Sequence, residues 1–490
     1  MNQRPRFLLD TNILIPLQDS HQVLKSNLAN FVRLANIGGH QLLYHPATIA
    51  DFERDTDPQR RSRNLQRIRQ YPALESPAVC PWNTASTSAH DACDNEILYA
   101  LECDAVHALV TEDRGIHTKA KIKGLDGRVY TIQTAEDWLR RLHEPQLVAL
   151  PNIHDAPLHS LTPQLALNFF DSLRDGYVGF DDWFRRKARE NRMAWLYCDG
   201  LDALAAICIY ATQENETIND AGERLQGTSL KLCTFKVGDE VRGRKIGELF
   251  LKAAFRYATK NACENIFIHA SAERHDYLIR LLQDFGFEER GTYAGDIVLV
   301  KSHPVISPDG SLFSPLEYAR RYFPHFRHDA IVQKFLIPIQ PHFHETLFPD
   351  YQPIQSRLFG VSNSVGNAIK LAYLSHAATK SINVGDLVLF YRSDDEKSIT
   401  SIGVVDHFEI LDDAARIASL VSRRTVYAIE QIEEMAKSPT KVILFRLVGH
   451  LPNPVTYDQL LHERVVSGPI QSIQKITDES FSKVHAAARR

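Results

Sequence analysis

The stretch Leu8-Leu9-Asp10-Thr11-Asn12-Ile13-Leu14 begins with an apolar run that ends in a carboxylate, at Asp10. Helical patterns separate it from three further short strand-like runs, at residues 42–44, 108–110 and 129–131. This alternation of strands and helices is typical of a parallel sheet covered by helices. Such sheets bind ligands at the carboxyl ends of their strands, which is where Asp10 lies. We therefore expect an α/β domain over residues 1–142 with a site at Asp10.

Three more aspartates accompany comparable elements of this block. Asp113 ends the apolar run that starts at residue 109. Asp94 opens a helical pattern, at the positive end of a helix dipole, and Asp51 follows another predicted helix. Any one of them alone is a helix cap or a solvated strand-end residue. Four together repel one another unless cations neutralise them, and ligand sets made only of oxygen favour Mg²⁺ or Mn²⁺. Such ions generate hydroxide and stabilise the charge on a phosphodiester during in-line attack.

This order of elements resembles the PIN-domain family, metal-dependent ribonucleases of which many are toxins with a protein antitoxin. The resemblance covers about residues 6–142 and rests on the opening stretch together with the Thr111-Glu112-Asp113 element. Asp51 stands where the family usually has Glu, and Glu53 is a rival for that place. The resemblance implies as metal ligands and catalytic residues Asp10, Asp51, Asp94 and Asp113, with Asn12 and Thr111 orienting the carboxylates.

Basic residues lie beside these acids. Arg60, Arg63 and Arg67 fall on one face of a predicted helix, which is either a solvated surface or a phosphate contact beside the nuclease cleft. A second basic cluster comprises Lys119, Lys121 and Lys123. The whole chain carries 56 Lys and Arg against 60 Asp and Glu, a net charge of -4. That balance excludes a uniformly basic nucleic-acid binder but leaves room for local basic patches.

In the second block, a strand over residues 230–237 leads into a basic glycine loop and then a helix. Backbone N–H groups at such a helix start hold a pyrophosphate, and arginine and lysine add charge. With the strands at 266–270 and 297–300, this order resembles the GNAT acetyltransferase family over about residues 160–303. The resemblance implies an α+β domain that binds acetyl-CoA. The cofactor-binding residues that it implies are Val237, Arg242, Gly243, Arg244, Lys245, Ile246 and Gly247.

The second block departs from the GNAT pattern in two ways. Lys245 stands where the family has its central glycine, so its side chain has to point away from the cofactor or towards the phosphates. Leu282 stands where the family often has a general-acid Tyr, and the strand at 232–237 has no Asp or Glu to act as base. Tyr277 or Cys233 could substitute. The block is therefore either an acetyltransferase or a degenerate domain that binds or acts as a scaffold.

The third block starts near residue 355, with strands and with predicted helices at 364–375 and around 425–437. Its run Asn383-Val-Gly-Asp-Leu-Val-Leu-Phe-Tyr and the preceding Asn- and Ser-containing stretch resemble the PUA-like superfamily (ASCH and EVE domains) over about residues 355–486. The resemblance implies a mostly β barrel that binds RNA or modified bases, stacking a base on an aromatic ring. Tyr391 is alternatively an ordinary strand residue. The candidates for nucleic-acid contact are Ser362, Asn363, Ser364, Asn367, Lys370, Tyr391 and Arg392.

The composition agrees with a multidomain α/β protein that carries α+β and mostly β modules. Hydrophobic residues make up 44% and charged residues 24% of the chain, which are globular values. No apolar run approaches the about 20 residues of a membrane span, and the seven cysteines contain no C-x-x-C pair. We expect a cytoplasmic protein with no membrane partner. The predicted domains are 1–142, 160–303 and 355–490, joined by a Pro-rich linker at 143–159 and a connector at 304–354.

Three hypotheses follow for the function. The leading one is a Mg²⁺- or Mn²⁺-dependent ribonuclease whose third block selects the RNA, with a toxin-like role against tRNA, an antitoxin partner and a homo-oligomer as extensions. The second is an acetyl-CoA-dependent N-acetyltransferase that acts on a protein or an aminoacyl-tRNA. The third is a sensor of modified nucleic acid with two inactive domains, against which the ordered set of four carboxylates argues.

Overall fold

In the computed structural model, the chain forms two compact units, called unit 1 and unit 2 below. Unit 1 comprises residues 1–148, 374–376 and 409–442, and unit 2 comprises residues 149–373, 377–408 and 443–490. The structure describes residues 4–18, 26–54, 56–82, 89–143, 153–199, 203–238, 241, 245–272, 274–351, 368–379, 381–421 and 427–489. None of the helices in these ranges is both long and apolar enough to cross a membrane.

Unit 1 is built on a four-stranded sheet in the order β2-β1-β3-β4. Its strands are β1 (Arg6–Leu9), β2 (Gln41–Leu43), β3 (Ala108–Val110) and β4 (Val129–Tyr130). Every neighbouring pair is parallel, so the predicted parallel sheet is confirmed. The helices from the same part of the chain are α1 (Thr11–Gln18), α2 (Ser26–Ile37), α3 (Ala47–Glu53), α4 (Pro58–Ile68), α5 (Ala89–Glu102), α6 (Arg114–Ile122) and α7 (Ile132–His143), with a 3-10 turn at Asp126–Arg128.

The central strand β1 is covered on both faces because its successive side chains point to opposite sides of the sheet. Phe7 packs its ring against Phe31 of α2 and Trp138 of α7, with ring centroids 5.5 and 5.0 Å apart. Leu8 belongs to a second buried cluster that includes Ile97 of α5. A parallel strand covered in this way has to be apolar where it is buried, as Phe7, Leu8 and Leu9 are, whereas Arg6 at the start of β1 is only partly buried. The polar residue that follows it, Asp10, therefore marks the edge of the sheet.

Residues from the predicted third block complete unit 1. They contain α14 (Ala414–Val421) and α15 (Ile429–Met435). The backbone carbonyl of Ser419 accepts a hydrogen bond from the Tyr130 hydroxyl at 3.2 Å, and the Ser419 hydroxyl donates to the carbonyl of His107 at 2.9 Å. These bonds satisfy buried polar groups at the end of the sheet that adjoins β4.

Unit 2 contains a seven-stranded sheet in the order β10-β11-β9-β8-β7-β6-β5. Its neighbours are antiparallel except β8 and β9, which are parallel. The strands are β5 (Ile153–Pro157), β6 (Met193–Cys198), β7 (Leu204–Glu214), β8 (Thr228–Val237), β9 (Asn265–Ala270), β10 (Glu288–Tyr293) and β11 (Asp296–Ser302). The helices are α8 (Asp171–Gly176), α9 (Phe180–Arg189), α10 (Ile246–Lys260) and α11 (Asp276–Asp284), with 3-10 helices at Leu158–Gln164 and Asn168–Phe170.

A mixed six-stranded sheet follows in the order β13-β16-β15-β14-β12-β17. Its strands are β12 (Lys334–Ile339), β13 (Lys370–Ser375), β14 (Leu387–Arg392), β15 (Ser398–Leu411), β16 (Thr440–Thr456) and β17 (Gln474–Ile476). The remaining helices are α12 (Pro315–Tyr322), α13 (Pro341–Leu347), α16 (Tyr457–His462) and α17 (Asp478–Ala487). β12 comes from the predicted connector and β5 from the predicted linker.

The helix predicted at 364–375 is wrong for the described part of that range, because β13 occupies residues 370–375 as a strand beside β16. Alanine and leucine suit a helix locally, but pairing with a long neighbouring strand overrides that weak preference.

Candidate functional sites

Asp10 lies immediately after β1, with its side chain only 6% exposed. Its carboxylate accepts a hydrogen bond from the Thr111 hydroxyl at 2.6 Å and one from the Asn12 side-chain amide at 2.8 Å, both on Oδ2. The backbone N–H of Thr11 donates to Oδ1 at 2.6 Å. These hydrogen bonds from Asn12 and Thr111 hold the Asp10 carboxylate in one orientation.

The donors around Asp10 are neutral, and two more carboxylates act on it. Burial raises the pKa of Asp10 above its usual value, and the charges of Asp94 and Asp113 raise it further, against the lowering effect of the Thr111 hydrogen bond. The same crowding acts on Cys93, because burial and the charges of Asp94 and Asp10 raise its pKa to about 12. The three predicted aspartates are thus electrostatically coupled.

Asp113 acts as the N-cap of α6. Its side chain accepts from the backbone N–H of Ile116 at 3.0 Å, and its own N–H donates to the Thr111 hydroxyl at 2.9 Å. Asp94 does not open its helix as predicted, since α5 begins at Ala89 and places Asp94 in the second turn. A capping carboxylate is satisfied locally, so Asp113 has an ordinary structural role at this position.

A lysine occupies the acid cluster. The ammonium of Lys119 lies 3.1 Å from Asp94 Oδ2 and also forms an ion pair with Asp91. Burial alone would lower the pKa of Lys119, but the hydrogen bonds and charges of these two aspartates raise it. Burial raises the pKa of Asp94, although Lys119 opposes that rise. The sequence pattern did not identify Asp91, whose only signal is that it precedes Asp94 by one helical turn.

The predicted Mg²⁺ or Mn²⁺ site receives no support from these contacts. Within the part of the chain that the structure describes, no group of three or more His, Cys, Asp or Glu residues is arranged to hold a metal ion. The side chain of Asp51 lies outside the described residues, and Glu53 is exposed. Among the described residues, Lys119 already supplies a positive charge to Asp94, so a metal ion at these aspartates would have to displace its ammonium.

The basic helix α4 presents part of the predicted arginine face. Arg60 and Arg63 are exposed, and the side chain of Arg67 lies outside the described residues. Lys123, from the second predicted basic cluster, places its ammonium 3.9 Å from the centre of the Trp82 ring. Phosphate contact at these residues stays a prediction.

In unit 2 the parallel strands β8 and β9 separate. They pair over four positions, from Ser229 with Asn265 to Leu232 with Ile268, although both strands continue beyond that point. After Leu232, β8 pairs only with β7, and a β-bulge there leaves Cys233 as the extra residue. Bulges bend a strand and re-aim its groups, and they are frequent beside active sites. In parallel sheets, a cleft at the carboxyl ends of separating strands binds ligands, and β8 and β9 are the one parallel pair among the described strands of this sheet.

The helix α10 follows the cleft strand β8. Its N-cap, Lys245, is left-handed with φ 59° and provides no side-chain cap. That conformation is one glycine adopts freely, which accounts for a glycine in the matching position of the GNAT pattern. The Lys245 ammonium donates to the carbonyl of Lys370 at 3.0 Å, and the Lys370 N–H donates to the Glu248 carboxylate at 2.5 Å. Lys245 therefore points to a backbone carbonyl.

The structure describes only some of the other residues predicted to bind the cofactor. Val237 ends β8, and Ile246 and Gly247 form the first turn of α10. A Cβ atom on Gly247 would lie 2.9 Å from a methyl carbon of Leu281 on α11, so the two helices are close there. The predicted loop residues Arg242, Gly243 and Arg244 lie outside the described residues.

The residues at the positions predicted for proton transfer differ in how far they are buried. Burial raises the pKa of Cys233, although the nearby Arg192 opposes the rise, so the thiol stays protonated at neutral pH. Leu282 is fully buried, whereas Tyr277 on α11 is 45% exposed. β8 itself contains no Asp or Glu over residues 228–237. Cys233 is therefore unsuited to act as a base.

The predicted nucleic-acid contacts of the third block are engaged inside the protein where the structure describes them. Tyr391 is 5% exposed and belongs to a hydrophobic core, so its ring is not presented to a base in this structure. Lys370 forms an ion pair with Asp284, and Arg392 is buried between Asp395 and Glu345. The remaining candidates, Ser362, Asn363, Ser364 and Asn367, lie outside the described residues.

No protein-family model matches the chain, and no curated protein matches it. Solved structures similar to parts of it include ASCH from Zymomonas mobilis, 15% identical over 31% of this chain and 94% of that one, with a TM-score of 0.24. A putative GNAT-family acetyltransferase from Desulfovibrio desulfuricans is 14% identical over 31% and 99%, with a TM-score of 0.24. Arabidopsis thaliana NAA60 in complex with acetyl-CoA is 16% identical over 31% and 99%, also at 0.24. Similarities at these TM-scores establish neither a fold nor an activity for this chain.

Proposed function

We propose that unit 2 binds acetyl-CoA and transfers its acetyl group to an amine. The observation that carries the proposal is the separation of β8 and β9 after four paired positions, directly followed in the chain by the start of α10. The separated strands form a slot, and a helix N-terminus beside it offers N–H groups and a positive dipole to a pyrophosphate. The neutral amine attacks the thioester carbonyl of acetyl-CoA, the carbon–sulfur bond breaks, and CoA leaves as its thiol with the proton that the amine nitrogen loses.

Different residues of the slot bind the pyrophosphate and the acyl group. Ile246 and Gly247 present the first N–H groups of α10, where no side-chain cap competes for them. The bulge at Cys233 leaves backbone groups outside the regular ladder, available to hydrogen-bond an acyl oxygen. Since Cys233 stays protonated, it accepts no proton from the amine. The acceptor amine therefore enters in its neutral form or passes its proton to water.

Isothermal calorimetry of the full chain with acetyl-CoA tests this function. We expect binding that Gly247→Glu weakens at least about tenfold, because a carboxylate at the helix start repels the pyrophosphate. Gly247→Ala is the matched control: its Cβ meets the flexible end of Leu281, and it leaves the backbone N–H in place, so binding should change little. Absence of binding to the unmodified chain, or equal binding by Gly247→Glu, contradicts the proposal.

Metal-dependent RNA cleavage in unit 1 is the second candidate. It is favoured by one observation, the buried Asp10 carboxylate that accepts hydrogen bonds from Thr111 and Asn12 and has a raised pKa beside two other acids, since groups with shifted pKa values cluster at functional sites. No cleavage step follows from the contacts of the described residues. We expect Asp10→Asn to abolish cleavage of RNA in the presence of Mn²⁺, with the exposed Asp126→Asn as control. Failure of the unmodified chain to cleave RNA removes this candidate.

A further inference from the structure

The helix α9 has one apolar and one strongly basic face. Phe180, Phe184 and Ala188 are buried in a cluster with Leu158 and Leu161 of the preceding 3-10 helix. The exposed side carries three arginines, namely Arg185, Arg186 and Arg189. Basic residues near a helix C-terminus offset the negative end of the dipole. The three arginines are also exposed, so their guanidinium groups can contact a ligand.

A groove of about 540 Å³ lies between the 3-10 helix at Leu158–Gln164 and the C-terminal half of α9. The groove is open to solvent. Among the described residues no carboxylate lines the groove, and every polar side chain that does so can donate a hydrogen bond. The lining residues are His159, Thr162, Arg185, Ala188, Arg189 and Asn191. Donors and positive charge without acids are the composition of an anion-binding surface.

The two arginines of the groove are poorly matched by acids of the chain. Arg185 lies 3.4 Å from Asp182, whose side chain is 90% exposed, and such a pair contributes little. Among the described carboxylates, none lies within ion-pair distance of Arg189, whose Nε instead donates to the Arg185 carbonyl. By contrast, the neighbouring Lys187 is paired with Glu190 at 2.8 Å. The positive charge of the groove is thus available to a ligand.

The groove ends next to the cleft of the seven-stranded sheet. Arg192 follows the lining residue Asn191, and its guanidinium lies 3.6 Å from the sulfur of Cys233. Cys233 is the bulge residue at which β8 departs from β9. The chain segment at this end of the groove is therefore in contact with the bulge residue of β8.

We propose that this groove binds the phosphates of single-stranded RNA. Arg185 and Arg189 are one helical turn apart, so their guanidinium forks can hold two phosphate groups of one strand, each by paired N–H···O bonds. An open groove admits a continuous chain, and Thr162 and Asn191 add neutral donors for its oxygens. The role of such RNA as the amine-bearing acceptor rests on the proposed acetyl transfer, whereas its binding does not.

Fluorescence anisotropy of the full chain with a short labelled single-stranded RNA of mixed sequence, over a salt series, tests the groove. We expect Arg185→Ser/Arg189→Ser to raise the Kd at least about tenfold and to make the slope of log K against log salt shallower by about 1.4, at about 0.7 per lost phosphate contact. The control Arg224→Ser/Lys260→Ser removes the same charge from exposed positions that do not line the groove and should change the Kd less than about twofold.

Equal weakening by both double variants, with unchanged melting temperatures, would overturn the proposal in favour of a diffuse positive field. Displacement of the RNA by polyglutamate at equal charge concentration would also overturn it, since an acidic protein would then be the better ligand. Calorimetry of the unmodified chain with acetyl-CoA separates the two proposals. If the unmodified chain binds acetyl-CoA but not RNA, the groove alone is refuted, and if it binds RNA but not acetyl-CoA, the transferase alone is refuted.

Discussion

Asp10 in unit 1 and Asp350 in unit 2 are both buried aspartates, yet their carboxylates are balanced in opposite ways. Neutral donors surround Asp10 while two other acids face it, and burial raises its pKa. Burial would also raise the pKa of Asp350, but the hydrogen bond from His450 and the charge of Lys252 outweigh it and hold the pKa well below its usual range. A buried charge paired in this way is structural, whereas one left unbalanced is a candidate for function.

The network around Asp350 shows why connectivity alone does not make a site. Ser401 Oγ lies 2.8 Å from His450 Nδ1, and His450 Nε2 lies 3.0 Å from Asp350 Oδ1. This is the residue order of a hydrolase triad. Ser401 is fully buried within β15, however, and Asp350 already pairs with Lys252 at 2.6 Å. With no access to the serine, the network joins α10 to the six-stranded sheet and fixes their packing.

We expect the largest effect on stability when one charge of the Asp350–Lys252 pair is removed. Asp350→Asn leaves the buried ammonium of Lys252 without its carboxylate, and we expect it to lower the free energy of unfolding by about 3–5 kcal/mol, measured by urea denaturation. Asp350→Leu/Lys252→Met removes both charges and should lose much less. Glu479→Gln removes an exposed carboxylate paired with Lys483 and should have no measurable effect. A similar loss for the single and double variants would show that the pair's charge is unimportant.

The contrast between these aspartates could not be predicted from the sequence. Asp10 was identifiable because a local rule places it at the end of an apolar strand. Asp350 lies in a stretch with little periodicity, and its partners Lys252 and His450 come from positions about a hundred residues away on either side. Charge balance depends on which segments pack together, and that information is not local.

The fold shows the same division between local and distant information. The four strands of unit 1 were predicted because each is a short apolar run, and parallel pairing follows from the helices between them. The association of α14 with this unit depends on Ser419 meeting His107, which no local pattern indicates. The strand β8 was predicted as well, but the bulge at Cys233 arises from its pairing with β7.

The comparison also applies to buried histidines, which become positively charged when they are protonated. We expect their effect on stability to be intermediate in size. His450 contacts Asp350, whereas buried His40 has its Nε2 2.6 Å from Nε2 of His143. Burial and the charge of His143 lower the pKa of His40 to about 3. The unfolded chain therefore binds more protons between about pH 6.5 and 3, so stability is complete above 6.5 and is lost as pH falls through that window.

At about pH 5.5 the loss attributable to His40 is about 1.4 kcal/mol, one pH unit below the unfolded pKa. His40→Gln should remove this part of the decline, seen by urea denaturation of unit 1 at a series of pH values. The exposed His462→Gln should leave the decline unchanged. An identical pH profile for His40→Gln and the unmodified chain would mean that His40 is not held neutral by the fold.

The smallest effect on stability is expected when the charge of the Asp10 carboxylate is removed. Since the folded pKa of Asp10 is raised, the stability that it contributes is complete below its unfolded pKa and is lost as pH rises through the folded value. Asp10→Asn should therefore stabilise unit 1 at neutral pH by about 1 kcal/mol, the size of a typical stabilising substitution, and the gain should vanish in acid. Urea denaturation at acid and neutral pH, with Asp126→Asn as the exposed control, measures this difference. A destabilised Asp10→Asn at neutral pH would place Asp10 with Asp350, as a carboxylate that the fold requires in its charged form.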